Sequence, residues 1–306
     1  DTVNMADLVE KAMPQILAEL DPHSTYIPAQ NLEEVNSELE GSFSGIGIQF
    51  TIQNDTIHVN AVVQGGPSEK IGLMAGDRIV TVDDSLFVGK KVTNERAMRT
   101  LKGPKGSRVK LGIKRTGEKD LLHFNITRGD IPQNTVDAAY MVNDDIGYIK
   151  VSKFGRTTHV ELLNALAQLN HKKCKGLIID LRSNPGGVLD SAVKMVDYIL
   201  PDDLNQYEKG KGKTLIVYTA DKNEKGDVFT ASDGHELKIP IAILVNGDSA
   251  SASEVFTGAL KDYDWATVVG TTSYGKGIVQ NLIPLGDGSA IKITTAHYYT
   301  PSGFDL

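Results

Sequence analysis

The stretch that most constrains the fold is Ile239-Pro-Ile-Ala-Ile-Leu-Val245, a continuously apolar run followed at once by Asn246-Gly-Asp-Ser-Ala-Ser-Ala-Ser-Glu254. A run without polar alternation reads as a strand covered on both faces, as in a parallel sheet flanked by helices. Val255 to Leu260 continues with the spacing of an amphipathic helix, so the small hydroxyl residues fall at a strand-to-helix corner. A helix that begins there points unpaired N–H groups and the positive end of its dipole at whatever lies above it, which favours a developing anion. Ser251-Ala-Ser-Glu254 is also a full capping-box pattern, and ordinary helix capping accounts for it equally.

The next strand signal, Trp265 to Val269, leads into Gly270-Thr-Thr-Ser-Tyr-Gly-Lys-Gly-Ile-Val-Gln280, which sets Lys276 between two glycines. Flanking glycines allow close backbone approach, so this lysine can be tucked against neighbours instead of extending into water. A lysine acts as a general base only when neutral, and burial favours the neutral form. A serine with such a lysine is a complete nucleophile–base pair.

Four phrases carry a family resemblance: Leu-Asp-Pro-His-Ser-Thr-Tyr (20–26), Gly-Leu-Ile-Ile-Asp-Leu-Arg-Ser-Asn-Pro-Gly-Gly (176–187), Ser-Ala-Ser-Ala-Ser-Glu (249–254) and Tyr-Gly-Lys-Gly-Ile-Val-Gln (274–280). In this order they resemble the carboxyl-terminal processing peptidases, tail-specific serine proteases with a serine–lysine dyad, from about residue 1 to Gly303. The resemblance implies Ser251 as nucleophile, Lys276 as general base and Gln280 as the residue that orients the lysine. It assigns the oxyanion hole to the backbone N–H groups of Gly187 and Ala252. It also implies an α/β multidomain chain: a crotonase-like ββα spiral protease core with an inserted PDZ domain and an N-terminal helical segment.

At 306 residues, two or three domains are expected. A net charge of −7, with no local cluster of lysines and arginines, argues against nucleic-acid binding. No stretch reaches the length of a membrane-spanning helix, and Asp1 is not followed by a charged and apolar leader. Cys174, the single cysteine, excludes an internal disulfide framework and a multi-cysteine metal site, and is expected to be inert.

Three regions follow. Residues 1–41 read as an N-terminal helical segment in which Leu8, Ala12, Ile16 and Leu20 share one face, expected to pack on its own domain. Residues 42–129 read as short strands with turn punctuation: Ile46 to Ile52, Ile57 to Val63, Arg78 to Val82, a helix after Thr93, then Arg108 to Lys114 and Leu122 to Thr127. This order, with Gly-Leu-Met-Ala-Gly-Asp (72–77), resembles a PDZ domain, which binds a carboxyl-terminal peptide as an added strand. The carboxylate loop would be Gly45-Ile46-Gly47-Ile48, and Met98 and Leu101 are candidates for the side-chain pocket or for the core. Gly129-Asp-Ile-Pro132 reads as a turn-rich boundary, and 130–306 as an α/β core in which Lys209 to Gly234 is an exposed excursion apart from one strand signal.

Competing motifs are weaker. Gly270 to Gly277 matches a P-loop except that Gly277 stands where Ser or Thr must hold magnesium. Ser191-Ala-Val-Lys194 fits Ser-x-x-Lys without the companion motifs and reads as an exposed helix turn. His23, His58, His123, His159, His171, His235 and His297 supply no zinc spacing, and none sits in a specific triad phrase.

The expected function is a serine endopeptidase that cuts proteins near their carboxyl termini, takes substrates with apolar tails and requires no cofactor. The resemblance further implies a cell-envelope or periplasmic location, peripheral membrane association and pairing of subunits through terminal helices. The alternative is a non-catalytic PDZ scaffold that binds carboxyl-terminal peptides.

Overall fold

In this computed structural model residues 4–40, 42–90, 92–132, 134–169 and 174–306 are described, so the expected boundary at Gly41, His171 and the lysine before Cys174 lie outside them. The chain divides into two compact units, residues 42–133 and residues 1–41 with 134–306.

The larger unit is organised by a five-stranded sheet in the order Val136–Met141, Ile146–Val151, Gly176–Asp180, Ile241–Val245, Ala266–Gly270. The last four strands run parallel and the first is antiparallel to its neighbour. Helices Thr158–Gln168, Leu189–Ile199 and Ala252–Asp262 return the chain between parallel strands. Their apolar stripes (Leu162, Leu166, Val196, Phe256) share one core with Ile149, Ile179 and Ile243 of the sheet, all buried. That burial is what an unbroken apolar run such as Ile241–Val245 requires.

A second, antiparallel sheet completes the unit: Thr25–Ile27, Ala290–Tyr299, Leu215–Ala220 and Val228–Thr230 in order, with Ile278–Pro284 also on Ala290–Tyr299. The Lys209 to Gly234 excursion is therefore not simply exposed, because Val228–Thr230 pairs into this sheet and Ala231 is buried. The segment before residue 41 forms helices Met5–Ala18, which runs through Pro14, and Ala29–Glu40. Its strand Thr25–Ile27, in register with Ala290–Lys292, ties it into the core unit. Packing of the Leu8–Ala12–Ile16–Leu20 face is not found. Among the described side chains of that helix Leu17 is the buried one, while Leu8, Ile16 and the following Leu20 are exposed, because the packed stripe is rotated from the one the spacing picked out.

The smaller unit has strands Ile48–Gln53, Thr56–Val62, Arg78–Val82, Arg108–Lys114 and Leu122–Thr127, with Ser85–Leu86 beside the third. Asn54 and Asp55, both at positive φ, make the tight hairpin between the first two. Thr93 Oγ1 caps helix Asn94–Leu101 by accepting the Arg96 N–H at 3.2 Å. Gly129–Pro132 is a strand paired with Ser42–Gly45 and not a turn, so the module extends beyond the expected boundary at 129. Leu101 belongs to the core, whereas Met98 is 41% exposed on the same helix.

One ion pair anchors this unit. Arg115 donates through Nε and Nη2 to Asp77 at 2.7 and 2.8 Å, and the fully buried carboxylate also accepts the Met74 N–H at 3.0 Å. Replacing Arg115 with methionine leaves a buried charge without its partner, so urea unfolding of this unit should show a loss of about 3–5 kcal/mol.

Candidate active site

Ser251 sits at the first turn of helix Ala252–Asp262 with φ 56° and ψ −116°. Positive φ is uncommon for a non-glycine residue and places the side chain at a sharp corner between strand and helix. The expected capping box forms: Glu254 Oε2 accepts the Ser251 N–H at 2.8 Å. Glu254 also does something the box does not require. Its Oε2 accepts the Lys276 N–H at 2.8 Å and its Oε1 accepts the Gly275 N–H at 2.6 Å. The segment carrying Lys276, which has no helix or strand of its own, is thereby held against the turn carrying Ser251. Tyr274 N–H adds a bond to the Ser249 carbonyl at 3.0 Å.

The Asn-Pro-Gly-Gly turn faces the same corner through Asn184, which is fully buried. Its Nδ2 donates to the Val151 carbonyl and its Oδ1 accepts the Gly186 N–H, both at 2.9 Å. Its own carbonyl accepts Ala250 N–H at 3.0 Å and Ser253 Oγ–H at 3.1 Å. Gly186, at φ 91°, lies so close that a Cβ there would come within 2.9 Å of both Ser251 Cβ and Ala252 N. Among the described residues neither Ala252 N–H nor Gly187 N–H has an acceptor. Two unpaired donors at one corner are what a developing oxyanion needs.

Two expected contacts are not made. No hydrogen bond joins Ser251 Oγ to Lys276 Nζ among the described residues, and Gln280 Nε2 donates to the His23 carbonyl at 2.8 Å instead of facing the lysine. The phrase around His23 explains this. Asp21 accepts the N–H groups of His23 and Ser24 at 2.7 and 2.9 Å, the Ser24 hydroxyl, and Thr294 Oγ1–H at 3.1 Å. That turn packs onto strand Ala290–Tyr299, whose Thr294 pairs with Gln280.

Beside the corner, at the carboxyl ends of the parallel strands, lies a polar cleft of about 660 Å³ lined by Tyr148, Lys150, Asp180, Arg182, Ser183 and Asn246, among others. Asp180 is buried and accepts from Tyr148 Oη at 2.7 Å and from Arg182 Nη2 at 2.6 Å. Burial alone would push its carboxyl up, but those hydrogen bonds outweigh it and hold Asp180 well below the usual carboxylate range. Burial and the Asp180 contact push Tyr148 up to about 12. A depressed folded-state pKa contributes stability above the ordinary value of 3.8 and loses it as pH falls below that value. The stability difference between wild type and Asp180→Asn, read by urea unfolding, should therefore be constant near neutrality and shrink below about pH 4.

In the smaller unit, Gly47 has φ 75°, and among the described residues the N–H groups of Ile46 and Gly47 have no acceptor. Gly45 and Ile46 are buried beside them.

The competing motifs dissolve in the fold. Gly270 to Gly277 leads into strand Ile278–Pro284, not into the helix a phosphate loop needs. Ser191 is buried, not exposed as expected: its Oγ donates to the Gly155 carbonyl at 2.6 Å, and Lys194 pairs with Asp190. Among the described residues no histidine bonds to Ser251; His235 Nδ1 lies 2.7 Å from the Tyr198 carbonyl. Cys174 is buried, its Sγ 3.4 Å from Met141 Sδ. Sequence reasoning missed the second oxygen of Glu254 and the Asn184 anchor. The only signals were a capping glutamate and an asparagine inside a glycine-rich phrase.

An α/β core with a strained serine at a helix start, joined in one chain to a small β module whose glycine loop keeps two N–H groups without acceptors among the described residues, defines a peptidase-like protein with a peptide-binding domain. Residues 145–306 match peptidase family S41 and residues 44–126 match the PDZ domain family. The chain belongs to peptidase family S41. It is 38% identical over 305 residues to a carboxy-terminal-processing protease of Bartonella bacilliformis, covering 98% of this chain and 67% of that protein. It is 34% identical over 306 residues to the carboxy-terminal processing protease CtpB of Bacillus subtilis, covering 99% of this chain and 61% of that one. Among solved structures it resembles the photosystem II D1 C-terminal processing protease, with a TM-score of 0.56 and 27% identity over 98% of this chain and 79% of that chain. The chain thus spans roughly three-fifths to two-thirds of the curated relatives' lengths.

Proposed function

We propose that this protein is a serine endopeptidase that cleaves protein substrates near their carboxyl termini. The carrying observation is the strained Ser251 corner, bound through Glu254 to the segment that bears Lys276. In this mechanism Lys276 Nζ takes the Ser251 hydroxyl proton as Oγ attacks the scissile carbonyl. The N–H groups of Gly187 and Ala252 receive the oxyanion, the leaving amine departs with the proton, and water activated by Lys276 releases the acyl group. Catalytic contacts are often loose until substrate binds. On this reading Gln280 exchanges the His23 carbonyl for Lys276 when the site fills. The strand–helix order of the core is read as a crotonase-like ββα spiral.

The PDZ unit captures the apolar tail, with the N–H groups of Ile46 and Gly47 on the terminal carboxylate and Met98 against the last side chains; the unpaired donors of the loop and the exposure of Met98 support this. The exposed apolar side chains of helix Met5–Ala18 support pairing of two copies. No described helix is long and apolar enough to cross a membrane, and a periplasmic place with peripheral membrane association follows from the family resemblance.

Incubation with an unstructured protein ending in an apolar tail should give fragments cut near that end, and none with Ser251→Ala. Amidating the tail should raise KM with little change in kcat. Tail binding of equal strength by both proteins, without any cleavage, would establish the scaffold reading instead.

A further inference from the structure

We propose that Glu254 is the positioning residue that fixes Ser251 and Lys276 in one frame, a role that rests on the peptidase reading. A glutamate at the third position of a helix ordinarily closes a capping box with its own N-cap. Here the same carboxylate, 4% exposed, serves three N–H groups: Ser251 and Lys276 on Oε2, both at 2.8 Å, and Gly275 on Oε1 at 2.6 Å. The last two lie 21 and 22 residues further along the chain. A capping requirement alone does not recruit them.

The need is geometric. Nucleophile and base sit on separate elements, and productive chemistry tolerates only about half an ångström of misplacement of one relative to the other. Between residues 272 and 277 three N–H groups are bonded among the described residues: Tyr274 to the Ser249 carbonyl, and Gly275 and Lys276 to Glu254. Glu254 therefore supplies two of the three bonds that tie the base segment to the nucleophile turn. Its two oxygens offer about four acceptor sites, enough for three donors. A glutamine of the same shape keeps one acceptor oxygen and turns an NH2 toward an N–H.

That contrast separates positioning from packing. Kinetics on the unstructured apolar-tailed protein, thermal unfolding, and the rate of Ser251 labelling by a fluorophosphonate would be compared for wild type, Glu254→Gln and Glu254→Asp. Glu254→Gln is expected to lower kcat and the labelling rate by about 100-fold, with KM within about threefold and the unfolding midpoint within a few degrees. Glu254→Asp, shorter but with both acceptor oxygens, should retain more kcat than the glutamine variant. A glutamine variant within threefold of wild-type kcat, or one whose loss is accounted for by a collapsed unfolding midpoint while the aspartate variant is worse, would overturn the role. If wild type neither cleaves nor is labelled at Ser251, the peptidase reading fails and the role of Glu254 falls with it. An active wild type with an active glutamine variant removes only the role of Glu254.

Discussion

Replacing Lys276 with methionine is expected to lower kcat by about 10⁴–10⁶ while leaving KM for an apolar-tailed substrate within a few-fold. The lysine is placed by backbone bonds from Gly275 and itself to Glu254, so removing the amine changes the chemistry and not the scaffold. Ser251→Ala should cost as much, and the double variant no more than the worse single, because groups that act as one unit are strongly non-additive. Single-turnover cleavage under saturating enzyme measures all three. Near-normal turnover by the methionine variant would remove the lysine from the mechanism.

The second large effect is expected at Gly186→Ala. A Cβ there would lie 2.5 Å from the Ala250 carbonyl oxygen and 2.9 Å from Ala252 N and Ser251 Cβ, at a φ of 91° that alanine seldom adopts. The Ala250 oxygen and the Ala252 nitrogen are backbone, and Ser251 Cβ is fixed to the backbone, so relief requires the turn itself to move. A shift of about 1 Å misplaces the nucleophile and the Ala252 donor together, and kcat should fall by about 10²–10³. Gly288→Ala is the control. Its φ is 88° and its nearest neighbour is 3.6 Å away, so it carries similar backbone strain without the clash. Wild-type-like activity of the control beside a crippled Gly186→Ala would locate the effect at the corner; equal losses would assign it to strain alone.

Much of this was legible beforehand, for a local reason. The apolar run before Asn246, the periodic helix after Ser251 and the strands Ile46 to Ile52 and Ile57 to Val63 are patterns over neighbouring residues, and periodicity reports them directly. The PDZ strands Arg78–Val82, Arg108–Lys114 and Leu122–Thr127 fall where alternation put them. Strand Thr25–Ile27 was not legible, because three residues carry no period and its partner lies at Ala290–Lys292. Gln280 was expected to face the lysine, yet its amide reaches the His23 carbonyl, since pairing opposite Thr294 brings that turn alongside.

The sequence by itself determined which residue types meet at the corner: a serine at a helix start, a lysine freed of bulk by two glycines and a glutamate three places on. Those are short-range facts, set by φ/ψ preference, capping and hydrophobic period. Only the tertiary structure decided that the glutamate's other oxygen would hold the lysine's segment, and that Asn184 would fasten the glycine turn to strand Ile146–Val151. Such bonds join positions tens of residues apart, and nothing in a linear pattern states which buried donor a carboxylate or amide will meet once the sheets have packed.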